Sequence, residues 1–224
     1  MPIPSKAPTR HTAIVTGSGR NIGRAIALAL ARDGVNVVVN GHSDQTAIDR
    51  VVTEIHAAGG SAIGIQADVS KHDEVAAMVE RAAAHFGSVD ILVSNVGIRR
   101  MQPFLEISLD DWQTVINTNL SAAFYLTRNV IPHMQKQQWG RVILVSGFDA
   151  FWGQVTLRAH NLAAKSGLHG LTKALAREFG VDGITANTVA PGAIDTVRDW
   201  SQYKHQPRDQ LEKEIQLGRF GHVD

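Results

Sequence analysis

Six short apolar runs punctuate the chain, at residues 13–16, 36–39, 62–66, 91–94, 142–145 and 184–189. They are rich in valine, isoleucine, leucine and alanine and too short for helices, so they read as strands buried on both faces. Between them lie longer segments with apolar residues at helical spacing. In the first, Ile22, Ala25, Ile26, Ala29 and Leu30 fall at i, i+3, i+4 and so share one helix face. Helices are predicted to start near Ile22, Thr46, Lys71, Leu109 and Gln154. Residues 109–137 read as one long helix whose buried stripe is Trp112, Val115, Ile116, Leu120, Ala123, Phe124, Thr127 and Val130. A last short helix is expected over about residues 207–217. Strand alternating with helix predicts an α/β fold, a doubly wound parallel sheet in three layers with right-handed crossovers. No linker or repeat divides it, so residues 11–224 are expected to form a single domain behind a loose arm, residues 1–10. The segments 109–137 and 154–179 are apolar over more than one stripe, which predicts a homodimer or homotetramer.

Composition narrows the function classes. The 224 residues carry a formal net charge of +1, without the basic surplus of a nucleic-acid binder. No apolar run reaches the length needed to span a membrane. The first ten residues hold prolines and no apolar core, unlike a signal peptide. Cysteine is absent, which excludes disulfides and thiolate ligands and fits a cytoplasmic protein. The histidines lack the spacing of a metal site, so no metal is expected. A small-molecule ligand remains.

In sheets of this kind the ligand sits beyond the carboxyl ends of the strands. The residues found there are distinctive. The first strand runs into Gly17-Ser18-Gly19-Arg20-Asn21-Ile22-Gly23, a glycine-bearing turn that opens a helix. Such a turn lets the backbone approach a pyrophosphate, with the free N–H groups of the helix start aimed at it. Asn21 tolerates a left-handed backbone better than most residues. Later strands end at Asn40-Gly41-His42-Ser43, Asp68-Val69, Ser94-Asn95-Val96-Gly97 and Ser146-Gly147. Asn119 lies inside an apolar helical stretch and asks for a hydrogen-bond partner. Asn161 and Lys165 are four apart and share a helix face, and Pro191-Gly192-Ala193-Ile194-Asp195-Thr196 follows the sixth strand.

Taken in order, these motifs resemble the short-chain dehydrogenase/reductase family. Thr16 to Gly23 is similar to its T-G-x-x-x-G-x-G, with Asn21 in place of the middle glycine. Ser94 to Gly97 is similar to its N-N-A-G, and Asn161 to Lys165 to its Y-x-x-x-K. The resemblance implies a Rossmann-type fold and an oxidoreductase moving hydride between a nicotinamide and a small carbonyl, alcohol or imine. It implies that Asp68 and Val69 meet the adenine, and that Asn95 and Gly97 pass close to the ribose. It further implies that Ser146 polarises the substrate oxygen, that Lys165 holds the nicotinamide ribose, and that Asn119 supports a water relay. Pro191, Gly192, Ile194 and Thr196 would border the nicotinamide.

Binders of NAD place an acidic residue after the second strand to hold the ribose 2′-hydroxyl. None occurs before Asp44, which reads equally as a helix N-cap. Arg20, His42 and Ser43 offer donors to a 2′-phosphate, so NADP(H) is favoured, with NAD(H) as the alternative.

The sequence departs from the family at its reacting centre. Asn161 stands where the tyrosine acid belongs, and an amide has no proton to give near neutral pH. Asp149, Arg158, Tyr203 or a water relayed by Asn119 and Lys165 could replace it; His160 should face elsewhere. A dinucleotide-binding sensor or subunit without catalysis is the alternative. Ser146 lies fifteen residues before Asn161, which predicts a reshaped loop over 148–157. Trp200 and Tyr203 suggest an aromatic lid. The family's last helix and seventh strand have no counterpart in these residues, so an open sheet edge is expected.

Overall fold

Short β-branched runs alternating with amphipathic helices leave the chain one compact solution, strands inside and helices outside. A computed structural model describes residues 10–153, 155–197 and 208–224. Its elements are β1 (Thr12–Val15), α1 (Asn21–Arg32), β2 (Asn36–Gly41), α2 (Gln45–Ala57), β3 (Ala62–Gln66), α3 (His72–Phe86) and β4 (Ile91–Ser94). There follow α4 (Leu109–Ile116), a π-helical turn (Asn117–Ser121), α5 (Ala122–Gln137) and β5 (Gly140–Val145). The chain then forms α6 (Asp149–Trp152), α7 (Ala159–Phe179), β6 (Ile184–Val189) and α8 (Arg208–Glu214).

The sheet order is β3-β2-β1-β4-β5-β6 and every pairing is parallel. Alternate residues of one strand feed separate cores on the two faces. On β1, Ile14 enters one with α3 and α5, while Ala13 and Val15 enter the other with α1 and α2. The order reverses between β1 and β4, the switch point where such sheets leave a crevice for ligands. The predicted three-layer doubly wound fold is therefore present, and all six strands fall where the apolar runs put them.

Three helical expectations need correction. The stretch 109–137 is helical throughout but not uniform. A π turn, with its extra residue, rotates the buried stripe between α4 and α5. Val115, Ala123, Thr127 and Val130 are buried, but Trp112 and Phe124 are 39% and 48% exposed and lie off the stripe. Second, α7 begins at Ala159 and not near Gln154, which lies outside the described residues. Gly153 and Leu157 take positive φ, 68° and 63°, and a helix cannot run through them. Third, the last helix is shorter than expected and gives way before Gly218, whose φ is +61°. Trp200 and Tyr203 lie outside the described residues. Among the described residues β6 is a sheet edge, with Thr185 and Asn187 exposed.

Candidate active site

The candidate cradle for a dinucleotide is built from the ends of β1, β2 and β4. Gly17 has φ +62° and Asn21 has φ 52°, so Asn21 takes the left-handed backbone that its residue type tolerates. Ser18, fully buried, donates its hydroxyl to the Val15 carbonyl at 2.6 Å and fixes the turn to the strand it leaves. Gly23 lets α1 start against the turn: a Cβ there would stand 2.3 Å from the Gly17 carbonyl oxygen. Asn95 donates its amide to the Thr16 and Gly17 carbonyls, at 3.0 and 3.3 Å. Thr16 in return accepts the Asn95 and Val96 N–H groups. Asn21 also works at a distance. Its amide exchanges two hydrogen bonds with the Val197 backbone, at 3.1 and 3.0 Å, and draws the segment after β6 across the turn.

Neither Thr16 nor Asn40 was singled out in the sequence. Asn40 is fully buried, accepts the Gly17 N–H at 3.4 Å and donates to the Ile65 and Ala67 carbonyls. The signal was available, since a polar side chain closing a run of valines must find partners inside.

The rim after β2 and β3 separates two roles that the sequence left open. Asp44 caps α2, accepting the Ala47 N–H at 2.9 Å. Its carboxylate is thus engaged with a helix start. Asp68 is not the cap of α3; it accepts the Ser70 N–H at 3.0 Å and the Ser70 hydroxyl at 2.7 Å. Burial opposes its charge, but those bonds, with His42 and Lys71 nearby, hold its carboxyl below the usual range. Arg20, His42 and Ser43 are exposed at the rim, with His42 Nε2 3.7 Å from Asp68. Val69 is buried beside them.

At the other end of the crevice, β4, β5 and α7 bring the reacting-centre candidates together. Asn119 sits in the π turn, where its amide takes the Ile98 N–H at 2.8 Å and donates to the Ile98 carbonyl at 2.9 Å. Asn161 donates to the same carbonyl at 3.0 Å. The two amides clamp one peptide group, so Asn161 serves as a tether. Lys165, one turn further along α7, donates to the Val145 carbonyl at 2.7 Å. A Cβ on Gly97 would lie 3.1 Å from its Nζ and 3.5 Å from Asn119 Oδ1, so these three residues meet. Burial pushes the Lys165 pKa down to about 8, and Arg99 adds to the effect.

Ser146 is placed differently from the expectation. Its hydroxyl donates to the Lys165 carbonyl at 3.0 Å and lies 2.8 Å from His169 Nε2. With that proton spent on Lys165, His169 is the donor of the second bond. Polarising a substrate oxygen would require Ser146 to give up a bond to α7. At the next residue, Gly147, a Cβ would meet nothing within 4 Å. His169 escaped the sequence reading. It stands four residues after Lys165, on the same helix face, which was the available signal.

The loop over 148–157, expected to differ through its length, contains one short helix among its described residues. This is α6, whose Asp149 pairs with the buried Arg158 at 2.9 Å. Phe148 N–H donates to the Pro191 carbonyl at 3.0 Å, joining this loop to the one after β6. In that second loop Gly192 is exposed, Ile194 bridges to Gly221, and Thr196 is half-buried. His160 precedes the Asn161 tether on α7. It is fully buried. Burial first, and Arg100 second, hold its pKa below the ordinary 6.5. Burial and Lys173 act the same way on His169.

This has a consequence for stability. A histidine kept neutral by the fold contributes stability that is present above its unfolded pKa. That stability is lost as pH falls below 6.5, because the unfolded chain then binds a proton that the folded one refuses. Each such group steepens the loss by up to about 1.4 kcal/mol per pH unit. The drop in Tm between pH 7.5 and 5.5 is therefore expected to be smaller in His160→Gln than in the native chain; an equal drop would refute it.

A strand, glycine turn and helix at the switch point, with a lysine and two asparagines beyond the fourth and fifth strands, is an arrangement that comparison can place. The family described as short chain dehydrogenase matches residues 11–207. The chain belongs to that family. As a short chain dehydrogenase it is an NAD(P)-dependent oxidoreductase. A 3-oxoacyl-[acyl-carrier-protein] reductase of Synechocystis sp. is 44% identical over 190 residues, covering 85% of this chain and 76% of the relative. The enzyme of that name from Pseudomonas aeruginosa is 38% identical over 212 residues, 95% of this chain and 85% of its own. Among solved structures, a candidate NAD(P)-dependent gluconate 5-dehydrogenase from Beutenbergia cavernae, with bound NADP, superposes with a TM-score of 0.87 at 34% identity. It covers 95% of this chain and 84% of the other. In this short chain dehydrogenase no helix of the described residues is long and apolar enough to cross a membrane, and no group of those residues could hold a metal ion.

Proposed function

We propose that this short chain dehydrogenase uses NADP(H) to interconvert a small carbonyl or imine compound with its reduced form, with a proton donor other than residue 161. The observation that carries the cofactor preference is the engagement of Asp44. Its carboxylate accepts the Ala47 N–H of α2, and Arg20, His42 and Ser43 are left at the rim to meet a 2′-phosphate.

Bound in the crevice, NADPH supplies the hydride. Gly17, Ser18, Gly19 and the first N–H groups of α1 receive its pyrophosphate, and Asp68 and Val69 border the adenine. Asn95 and Gly97 flank the ribose, which Lys165 holds by hydrogen bonds. Pro191, Gly192, Ile194 and Thr196 border the nicotinamide. With its pKa near 8, Lys165 is a stronger acid than an ordinary lysine. It can release a proton near neutral pH through a water relay supported by Asn119, which Asn161 itself cannot do. A catalytically silent dinucleotide-binding protein is the second reading. It is favoured by Asn161 and Ser146, whose side-chain donors are both engaged with backbone. The exposed Trp112 and Phe124 support a homodimer or homotetramer, and the absence of cysteine supports a cytoplasmic location.

Fluorescence titration with NADPH beside NADH tests the reading. NADPH is expected to bind at least about tenfold tighter, the value of one charge-assisted contact to the 2′-phosphate. Equal affinities would remove the preference, and binding of neither would remove the dinucleotide site. Oxidation of NADPH with a carbonyl and imine panel then separates enzyme from sensor.

A further inference from the structure

The side chains beyond β4 and β5 divide unevenly between donors and acceptors. The Asn119 amide is spent on both sides, its oxygen on the Ile98 N–H and its nitrogen on the Ile98 carbonyl. The Asn161 nitrogen joins it at the same carbonyl, at 3.0 Å. The Ser146 hydroxyl gives its proton to the Lys165 carbonyl at 3.0 Å. Lys165 gives one of its own to the Val145 carbonyl at 2.7 Å. Gly147 brings no side chain, and a Cβ there would find open space.

The oxygen of Asn161 is left over. Among the described residues Oδ1 makes no hydrogen bond, although the residue is only 9% exposed. The atom is unpartnered but not sealed off from solvent. Its direction is fixed by its neighbour. The Ile98 carbonyl is an acceptor, so the amide nitrogen must face it and the oxygen must point the other way. Lys165 lies one turn along the same face of α7. Where the resemblance to the family puts an acid, residue 161 therefore presents a bare carbonyl oxygen, and the polarity of the position is reversed. An acceptor in so enclosed a place discriminates by chemistry. A substrate nitrogen that bears a hydrogen completes a bond with Oδ1. A carbonyl oxygen brought to the same spot sets one acceptor against another and leaves both short of a partner, which is costly away from water.

We propose that Asn161 Oδ1 accepts a hydrogen bond from the N–H of the substrate's reacting nitrogen, so that the compound reduced here is an imine in its iminium form and not a carbonyl compound. The inference rests on the NADP(H) reading above and narrows its substrate. The reaction then balances without an acid at residue 161. The iminium carbon takes a hydride from NADPH and the C=N π pair moves onto nitrogen. The product is an amine whose N–H still faces Oδ1. The proton that turns the imine into an iminium is the one Lys165 releases through the water relay at Asn119, so no second cation is added to the site. Burial, which brings the Lys165 pKa to about 8, favours that release.

The test uses the full chain saturated with NADPH, with saturation confirmed by nucleotide fluorescence. Calorimetric titrations compare indoline with dihydrobenzofuran, and tetrahydroquinoline with chroman. Each pair sets an N–H against a ring oxygen in an uncharged molecule of the same shape. In at least one pair the N–H member is expected to bind about three- to tenfold tighter, the net value of a neutral hydrogen bond. Asn161→Leu and Asn161→Ala, each checked for native NADPH affinity, should erase that difference by weakening the N–H member alone. In turnover, dihydroisoquinoline should consume NADPH at least about a hundredfold faster than tetralone, the low end of what a missing acid costs the ketone. No preference for N–H, no member bound at all, a preference that survives in both variants, or tetralone reduced as fast as dihydroisoquinoline overturns the proposal while the dinucleotide reading stands. Failure of the native chain to bind NADPH would instead bring down both.

Discussion

Asn161→Tyr is expected to raise kcat for NADPH-dependent carbonyl reduction by about 10²–10⁴, the usual contribution of a general acid. The position is prepared for it. Lys165 lies one turn along the same face of α7, and its positive charge would favour the phenolate and so lower the tyrosine pKa. The substitution removes the Asn161 bond to the Ile98 carbonyl, but Asn119 keeps its bonds to the Ile98 N–H and carbonyl. The loop should therefore hold. The measurement is kcat over a carbonyl panel in native and variant protein, with cofactor affinity as the control. Unchanged kcat with intact NADPH binding would mean that proton delivery at residue 161 does not limit the reaction.

Gly23→Ala is expected to weaken cofactor binding sharply by the opposite route, geometry without chemistry. The added methyl would fall 2.3 Å from the Gly17 carbonyl oxygen and 2.7 Å from the Asn95 amide nitrogen. Both neighbours are held, Gly17 by the strand end and Asn95 by two bonds to the turn, so neither can move aside cheaply. Overpacking of this kind costs about 1–3 kcal/mol, and distortion at the pyrophosphate cradle should weaken NADPH by about a hundredfold. Gly170→Ala is the control, since a Cβ there meets nothing within 4 Å. Equal NADPH affinity in both variants would show that the turn is not the cradle.

The fold was legible because both of its periods are written in the sequence. Strands as short as Ile91–Ser94 stood out as unbroken apolar runs, and α1 to α3 began within one residue of their predicted starts. The cradle was legible for a similar reason, since glycine and asparagine at fixed offsets answer to backbone geometry. Loop 148–157 was legible only as a change of length. That Leu157 would take a positive φ and delay α7 has no sequence signature, because leucine is a poor occupant of that conformation. The partners of Ser146 were also hidden, because its contacts with the Lys165 carbonyl and His169 depend on where α7 lies against the end of β5. His169 did carry a signal, since it stands four residues after Lys165 on the same face of α7.

The two-way amide exchange between Asn21 and Val197 makes one side chain answer to two masters. Glycine at position 21 would suit the φ of 52° better but could not hold residue 197, and most side chains that might hold it could not take that φ. The turn and the strap across it are therefore a single unit of inheritance. A neutral drift at either end is closed off unless the other end changes with it, although the two lie 176 residues apart in the chain.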